Sequence, residues 1–298
     1  MRNSATRTPA WKVSLHGGHS GQFCEHAVGT LREILEAAIA AGYHTFGVSE
    51  HAPRLESRFL HSSELEKGWD VALLESNFQA YPSELQVLVE EFEDRIQILR
   101  GFEAEVVPSD RYKQIMLGYR QQFHFEYMVG SVHYVGDFML DGSAQEFELA
   151  MESQGGLEAL AAEYYEAVGR MVDDLRPEVV GHLDLIRKNG RSYGPLDTPA
   201  IYRAAERTLE AVRAHQCILD LNTAGIRKGL GCPYPVPELV HMADRMGIGF
   251  CFGDDSHRPA DVGAGIEEAR SYLLQNGVGS ITVLTRQEGE IVRRVVEL

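Results

Sequence analysis

The sequence predicts an α/β protein built as a distorted (β/α)7 barrel, similar in plan to a TIM barrel. Two observations predict this fold. Short apolar, β-branched segments alternate with longer segments of helical periodicity, which is typical of a mainly parallel sheet. The short segments number seven, enough to form a barrel. No low-complexity linker or clear repeat divides the 298 residues, so we expect one domain over residues 1–298.

Each predicted strand is a short run of aliphatic, β-branched and aromatic residues. The predicted strands are residues 12–15, 45–48, 96–102, 127–132, 179–181, 217–221 and 248–252. The helices predicted between them have one apolar face. They are residues 30–41, 158–175, 202–215 and 237–246. Gly42, Pro177 and Gly247 follow three of these segments, and such residues commonly end helices.

Almost every predicted strand runs into a histidine or an acidic residue. In chain order, these residues are His16, Glu50 with His51, Glu103, His133, His182 with Asp184, and Asp254 with Asp255 and His257. The carboxyl ends of the strands of a parallel barrel lie on one face, where active sites form. We therefore expect these side chains to converge although they are far apart in the sequence.

The converging side chains are of the types that bind metal ions. Imidazole is a common ligand of zinc and iron, and a carboxylate can bridge two cations. The predicted ligands are His16, His19, His26, His51, Glu103, His133, His182, Asp255 and His257. Nine donors exceed what one ion takes, so we expect two or three divalent ions, with zinc, iron and manganese all suitable. The remaining histidines, His44, His61, His124, His215 and His241, are expected to be structural.

Six short motifs contain these residues in a fixed order from about residue 13 to about residue 263. They are His16-Gly17-Gly18-His19-Ser20 with Cys24-Glu25-His26, Ser49-Glu50-His51, Glu103, Ser131-Val132-His133, Gly181-His182-Leu183-Asp184 and Asp255-Ser256-His257. In this order they resemble the motifs of the polymerase and histidinol phosphatase (PHP) phosphoesterases. The resemblance implies the PHP fold. The family's first pair is usually His-x-His, whereas two glycines separate His16 from His19 here.

Three segments are most similar to the histidinol-phosphate phosphatase branch of that family. They are Ser49-Glu50-His51-Ala52-Pro53-Arg54, Gly130-Ser131-Val132-His133, and Asn222-Thr223-Ala224-Gly225-Ile226-Arg227 followed by Tyr234-Pro235. The resemblance implies hydrolysis of L-histidinol phosphate to L-histidinol and phosphate, a step of histidine biosynthesis, with water activated by metal. It also implies that the loop ending at Arg227 contacts the substrate phosphate.

A phosphate monoester needs positive charge on its oxygens and help for its leaving group. The candidate phosphate ligands on strand-end loops are Arg54, Arg187, Arg227 and Arg258, of which Arg187 and Arg227 are favoured, with Lys188 and Lys228 nearby. Acidic residues such as Glu50, Asp184 or Asp254 could recognise the ammonium and imidazole of the substrate. Catalytic roles are expected for Asp255, His257 and Asp184, with Asp184 or Asp255 as the proton donor.

Composition excludes several other functions. A net charge of −16 argues against a long nucleic acid or an anionic membrane as partner. No apolar run approaches the length of a membrane helix, and the four cysteines are expected to be free thiols, so we expect a cytoplasmic protein. Residues 1–11 contain no secretory signal and are expected to form a flexible N-terminal extension. The sequence does not predict an oligomeric state.

Three alternatives remain open from the sequence. The protein could be a PHP-family phosphoesterase for another small phosphate ester or a nucleotide. It could be a non-catalytic metal-binding PHP module, although such a module is expected to have lost ligands. It could also be an unrelated metal-dependent amidase barrel, whose metals are usually bridged by a lysine, and no strand-end lysine stands out here.

Overall fold

The computed structural model describes residues 9–298. Its strands are β1 (Val13–Ser14), β2 (Thr45–His51), β3 (Gln97–Ala104), β4 (Tyr127–Gly130), β5 (Tyr134–Val135), β6 (Phe138–Met139), β7 (Val179–Val180), β8 (Ile218–Asn222), β9 (Phe250–Gly253), β10 (Ser280–Gln287) and β11 (Glu290–Glu297). Seven of them form one parallel sheet in the order β1-β2-β3-β4-β7-β8-β9. Each predicted strand coincides with one of these seven, which confirms the α/β barrel.

The first and last strands of the sheet approach each other. The amide of Leu15 donates to the carbonyl of Phe252 at 2.8 Å, and the amide of Asp255 donates to the carbonyl of His16 at 2.9 Å. These bonds join the ends of β1 and β9, so the sheet is a nearly closed barrel. The residues after each strand therefore form a ring around one opening.

Helices surround the sheet. They are α1 (Leu31–Ala40), α2 (Ser62–Glu66), α3 (Val71–Glu91), α4 (Tyr112–Phe123), α5 (Ala144–Gln154), α6 (Leu157–Leu175), α7 (Arg187–Gly190), α8 (Pro199–Ala214), α9 (Ala224–Arg227), α10 (Pro237–Arg245) and α11 (Ile266–Gln275). The four predicted helices are confirmed as α1, α6, α8 and α10. The largest difference is at α8, which begins at Pro199 because the Thr198 side chain caps the amide of Ile201 and proline suits the first turn.

One aromatic ring explains two glycines inside the barrel sheet. The fully buried ring of Tyr127 in β4 lies against Gly101 of β3 and Gly47 of β2. A Cβ at Gly101 would lie 2.3 Å from Tyr127 Cε1, and one at Gly47 would lie 2.3 Å from its hydroxyl. Side chains larger than hydrogen would displace this ring from the core.

The antiparallel hairpin β10–β11 packs at the opposite end of the barrel from the strand-end ring. Arg286 of β10 binds Glu126, just before β4, and the carbonyl of Ile98, near the start of β3. The side chain of Gln97 accepts from Thr285 at 2.7 Å and from the Arg286 amide at 2.9 Å. The hairpin therefore covers the barrel end where these strands begin.

The predicted N-terminal extension, residues 1–11, falls mostly on residues 1–8, which lie outside the described residues. At its end, Trp11 packs edge-on against Phe252, with ring centroids 6.2 Å apart. The four cysteines are free, as predicted. Among the helices of residues 9–298, none combines the length and the apolar character that crossing a membrane requires.

Candidate metal centre

All nine predicted ligands lie at the strand-end ring. His51 and Glu103 belong to β2 and β3, while His133 and His182 follow β4 and β7. His16 follows β1, and Asp255 and His257 follow β9. His19 and His26 lie on the loop between β1 and α1. The fold therefore brings together side chains that are up to 241 positions apart, counting from residue 16 to residue 257.

Two glycines give the first loop its shape. Gly17 and Gly18 have φ angles of 144° and 81°, which side chains rarely adopt. A Cβ at Gly17 would also lie 2.5 Å from Oδ1 of Asp254. The resulting tight path places the rings of both His16 and His19 in the cluster, their centroids 6.2 Å apart. The longer spacing between these histidines is thus compatible with both side chains reaching the same site.

Glu103 is the centre of the cluster. Its Oε1 lies 3.1 Å from Nε2 of His16 and 3.4 Å from Nε2 of His182. Its Oε2 lies 2.7 Å from Nδ1 of His51. The two oxygens therefore face different imidazoles, an arrangement suited to a carboxylate that bridges two cations.

Two further groups of donors adjoin Glu103. Asp255 lies between two imidazoles, with Oδ1 3.7 Å from Nε2 of His19 and 3.6 Å from Nδ1 of His257. On the outer side, Nε2 of His51 lies 3.3 Å from Nε2 of His257, and His26 is adjacent. His133 completes a group with Glu103 and His182.

The donor set fits divalent cations on a structural criterion. Among residues 9–298, several buried donor atoms of the cluster have no hydrogen-bond partner. They are Nε2 of His16, both ring nitrogens of His19, both oxygens of Glu103 and Nδ1 of His182. Buried polar atoms are normally paired, so atoms that crowd together without bonding one another need a shared partner. Imidazole and carboxylate donors in this number are typical of divalent metal sites.

The electrostatics favour the ionised carboxylates that metal ligands require. Burial opposes ionisation of Glu103, but the neighbouring His16 outweighs it and holds the pKa of its carboxyl well below the usual range. Burial is likewise outweighed at Asp255, where Lys228 and His16 keep the pKa low. Both groups carry negative charge at neutral pH.

The imidazoles fall into two classes. Burial, reinforced by nearby His19, lowers the pKa of His51 and of His257, so both are neutral and able to ligate. At His133 burial is outweighed by the Glu105 carboxylate, which raises the pKa to about 9. At His16 burial is outweighed by Glu103 and Asp220, which raise its pKa as well. A cation bound by His16 and His133 would displace one proton from each of these two imidazoles.

Three supporting residues were not found from the sequence. Asp220 accepts from Nδ1 of His16 at 2.7 Å, and Glu105 lies 2.7 Å from Nδ1 of His133. Asn222 donates to Asp220 at 2.8 Å and to Asp255 at 3.3 Å. Such partners orient metal-ligating side chains. Asn222 was noted only as part of a loop, while Asp220 lies inside a predicted strand, where nothing in the sequence marks it.

Seven of the nine predicted ligands line a cavity of about 360 Å³. The lining residues are His26, His51, Ala52, Arg54, His61, Glu103, Ala104, Glu105, His133, Asp141, His182, Lys188, Arg227, Lys228, Asp255, His257, Arg258 and Asp261. The predicted residues Arg54, Arg227 and Arg258 are in this lining. So is His61, which the sequence analysis expected to be structural.

The arginine and lysine side chains that line the cavity differ in whether a nearby carboxylate neutralises their charge. Arg54 pairs with Glu64, Lys188 with Asp141 and Arg258 with Asp261. Arg227 instead donates to neutral acceptors, the carbonyls of Asp254 and Asp255 at 2.5 and 3.0 Å and the Thr223 hydroxyl at 3.1 Å. For Lys228 the nearest recorded carboxylate oxygen, Oδ2 of Asp255, lies 4.0 Å away. Arg227 and Lys228 are therefore the available positive charges.

The predicted ligands His16 and His19 and four other predicted site residues lie outside the cavity lining. Arg187 binds Asp197 at 2.8 Å and the carbonyl of Leu196 at 3.2 Å. Asp184 accepts from the amide of Val236 at 3.0 Å, and burial raises its pKa to about 6.

Glu50 and Asp254 likewise form hydrogen bonds in the interior of the protein. Glu50 accepts from the amide and hydroxyl of Ser20, and Asp254 accepts from the Tyr43 hydroxyl and the Gly263 amide. These four side chains hold loops in place, and none of them lines the cavity.

Comparisons with known proteins place these features in one family. The profile of the PHP domain matches residues 16–224. The chain is 30% identical to the probable histidinol-phosphatase of Schizosaccharomyces pombe over 294 residues, 95% of this chain and 94% of that protein. It is 32% identical to the probable histidinol-phosphatase of Deinococcus radiodurans over 265 residues, 89% of this chain and 94% of that protein.

A solved structure has the same fold. The histidinol phosphate phosphatase of Lactococcus lactis, crystallised with zinc, L-histidinol and phosphate, superposes with a TM-score of 0.69 at 23% sequence identity. The match covers 95% of this chain and 99% of that one. At this identity the likeness establishes the barrel architecture.

Proposed function

Because the chain belongs to the PHP domain family, we propose that it is a metal-dependent phosphomonoesterase that hydrolyses L-histidinol phosphate to L-histidinol and phosphate. The relatives that match nearly its whole length carry that activity in their names. The reaction is a step of histidine biosynthesis, as the sequence resemblance implies.

One observation carries the proposal. A single cavity joins seven of the nine predicted ligands to two cations, Arg227 and Lys228, whose charge no short carboxylate contact neutralises within residues 9–298. Hydrolysis of a phosphate monoester needs positive charge on the non-bridging oxygens, and both sources of that charge face the same space. A volume of about 360 Å³ suits a small substrate.

The metal ligands in this proposal are the nine side chains predicted from the sequence. They are His16, His19, His26, His51, Glu103, His133, His182, Asp255 and His257. Their number suits two or three divalent ions, and zinc, iron and manganese each accept this mixture of nitrogen and oxygen. When bound, such ions polarise phosphoryl oxygens and lower the pKa of water.

The protein's own cations orient the phosphoryl group. Arg227 is fixed by two backbone carbonyls and a hydroxyl, which leaves part of its guanidinium directed at the cavity. A fixed guanidinium makes charge-assisted hydrogen bonds to phosphate oxygens. Lys228 adds a second charge beside it. Arg258 lies at the rim, where its pairing with Asp261 weakens its attraction for an anion.

The ionised carboxylate of Asp255 handles the proton in this proposal. It lines the cavity next to His257, and its low pKa keeps it ionised, so it can accept a hydrogen bond from the attacking water. Asp184 is assigned no such role, because its side chain lies outside the cavity lining. Its raised pKa follows from burial in the interior.

The ammonium and imidazole of L-histidinol phosphate need acceptors in the same cavity. Asp141, Glu105 and Asp261 supply carboxylates in the lining. These residues replace the buried Glu50 and Asp254 as candidates for recognising the amino alcohol. The four free thiols are compatible with a reducing cytoplasm, which we propose as the compartment.

A substrate panel tests the proposal. Metal-loaded protein is assayed for phosphate release from L-histidinol phosphate, p-nitrophenyl phosphate and a nucleoside monophosphate. We expect L-histidinol phosphate to have by far the highest kcat/KM, and a chelator to abolish the activity. The matched controls are Glu103→Gln, which removes the central carboxylate, and Glu238→Gln, which removes a carboxylate outside the cavity lining.

Equal rates on all three compounds would overturn the substrate assignment. Retained activity in Glu103→Gln would overturn the metal assignment instead.

A further inference from the structure

A cysteine lies beside the outer donors of the metal centre. Cys24 follows His19 on the loop between β1 and α1, and only 4% of its surface is exposed. Its Sγ and one ring nitrogen each of His26, His51 and His257 all lie within 4.8 Å of one another. Four donors of ligand type therefore surround one small volume.

Two of the six pairwise spacings of these donors, between His51 and His257 and between Cys24 and His26, suit a tetrahedral site. In a tetrahedral zinc site with Zn–N near 2.05 Å and Zn–S near 2.3 Å, two nitrogens lie about 3.3 Å apart and nitrogen and sulfur about 3.6 Å apart. Here Nε2 of His51 and Nε2 of His257 are 3.3 Å apart. Sγ of Cys24 is 3.4 and 3.5 Å from the two ring nitrogens of His26.

The contact between Cys24 and His26 is not a directed hydrogen bond. Sulfur is almost equally far from both ring nitrogens, whereas a hydrogen bond points at one of them. His26 is exposed, so its ring can turn a nitrogen toward an ion shared with the sulfur. The fully buried His19 lies between this group and Glu103, and neither of its ring nitrogens has a partner in the described chain. Its ring stacks on those of His51 and His257.

The Cys24 sulfur approaches these donors from the interior of the protein and not from the substrate cavity. His26, His51 and His257 line the substrate cavity, whereas Cys24 is not in its lining. It lines a small adjoining cavity with Arg54, behind His51. A fourth ligand from this side completes a tetrahedral set without entering the substrate cavity.

We propose that Cys24 is a metal ligand, completing a site with His26, His51 and His257. This inference rests on the metal centre of the proposed function and does not depend on the identity of the substrate. On binding, the S–H bond breaks, a sulfur–metal bond forms and the proton passes to the solvent. A thiolate is a soft donor, so this site prefers zinc to manganese or magnesium.

Cobalt substitution tests the proposal without relying on activity. The protein is loaded with Co²⁺, and its near-ultraviolet absorption is recorded. A bound thiolate gives an intense sulfur-to-cobalt charge-transfer band, which imidazole and carboxylate donors do not give. We expect the band in the wild type and its loss in Cys24→Ser. The matched control is Cys217→Ser, which alters an equally buried cysteine just before β8 and should keep the band.

X-ray absorption of the zinc-loaded wild type provides a second measurement that needs no variant. We expect a sulfur neighbour of zinc at about 2.3 Å. Bound cobalt without a charge-transfer band, or zinc with only nitrogen and oxygen neighbours, would overturn the role of Cys24. A protein that shows the band but does not hydrolyse L-histidinol phosphate would overturn the proposed function and leave the cysteine ligand standing.

Discussion

Asp220 controls which nitrogen of His16 is available to a metal ion. Both side chains are fully buried, and Nδ1 of His16 lies 2.7 Å from Oδ2 of Asp220. Hydrogen bonding at Nδ1 leaves Nε2, which faces Glu103, as the ligating atom. Asn222 donates to the same carboxylate and fixes its orientation.

We predict that Asp220→Asn weakens metal binding without removing a ligand. An amide is neutral and does not hold the imidazole in a single tautomer as a carboxylate does. Loss of such a partner typically lowers metal affinity about 10- to 100-fold. Competition with a chromophoric chelator measures the affinity. Asp261→Asn, at a rim carboxylate paired with Arg258, is the control and should bind metal as the wild type does. Equal affinity in all three proteins would contradict the role of Asp220.

The proposed ligands were predictable because each one lies at the end of a strand or on the loop after it. Asp220 was not, because it lies within β8 and the sequence does not show which way a strand residue faces. Arg187 shows the converse. It follows a strand end, but its partner Asp197 becomes adjacent only when the chain folds, and that contact engages its guanidinium away from the cavity. Local sequence indicates where a residue lies along an element and not what neutralises its charge.

One arginine makes the charged contacts that join the C-terminal hairpin to the barrel. Arg286 of β10 binds both carboxylate oxygens of Glu126, at 2.6 and 2.7 Å, and the carbonyl of Ile98 at 3.1 Å. Both side chains are largely withdrawn from water, with 27% and 12% exposed. Removing one partner leaves the other charge poorly solvated.

We predict that Arg286→Ala destabilises the fold and leaves the metal centre intact. Loss of a charge-assisted hydrogen-bonded pair costs about 1–3 kcal/mol, and we expect this decrease in the free energy of unfolding from urea denaturation. Metal content should not change, because the hairpin covers the opposite end of the barrel. Arg294→Ala removes an exposed bond to Gln287 and should change stability by no more than about 0.5 kcal/mol. If both variants lose the same stability, Arg286 is not the anchor.

The hairpin also shows which elements the sequence could not predict. The seven barrel strands are short buried runs, so composition alone identifies them. In contrast, β11 is mostly exposed or half-buried and carries charged residues such as Arg293 and Arg294, which weaken the alternating apolar pattern of a strand. The 21-residue helix α3 was missed as well, and it contains Pro82, which normally argues against a helix interior.

At the scale of the whole molecule, the metal centre couples distant parts of the chain. Its predicted ligands extend from residue 16 to residue 257 and come from six of the seven barrel strands or the loops that follow them. An unfolded chain cannot hold them together, so metal binds the folded state far more strongly than the unfolded one. Cation binding therefore stabilises the barrel as a unit. It also offsets part of the buried negative charge of Glu103 and Asp255 in a chain of net charge −16.

We predict that chelation lowers the melting temperature and that zinc restores it. Free zinc at 100 times its Kd stabilises the folded state by about 2.7 kcal/mol. At about 2–4 °C for each kcal/mol, this corresponds to a rise of about 5–10 °C, measurable by calorimetry. The control is Glu103→Gln, whose melting temperature should respond much less to either treatment because the central carboxylate is missing. A wild type that melts at the same temperature with chelator and with zinc would mean that the cluster binds no cation in the folded state. The unpaired atoms of His16, His19 and Glu103 would then need another partner.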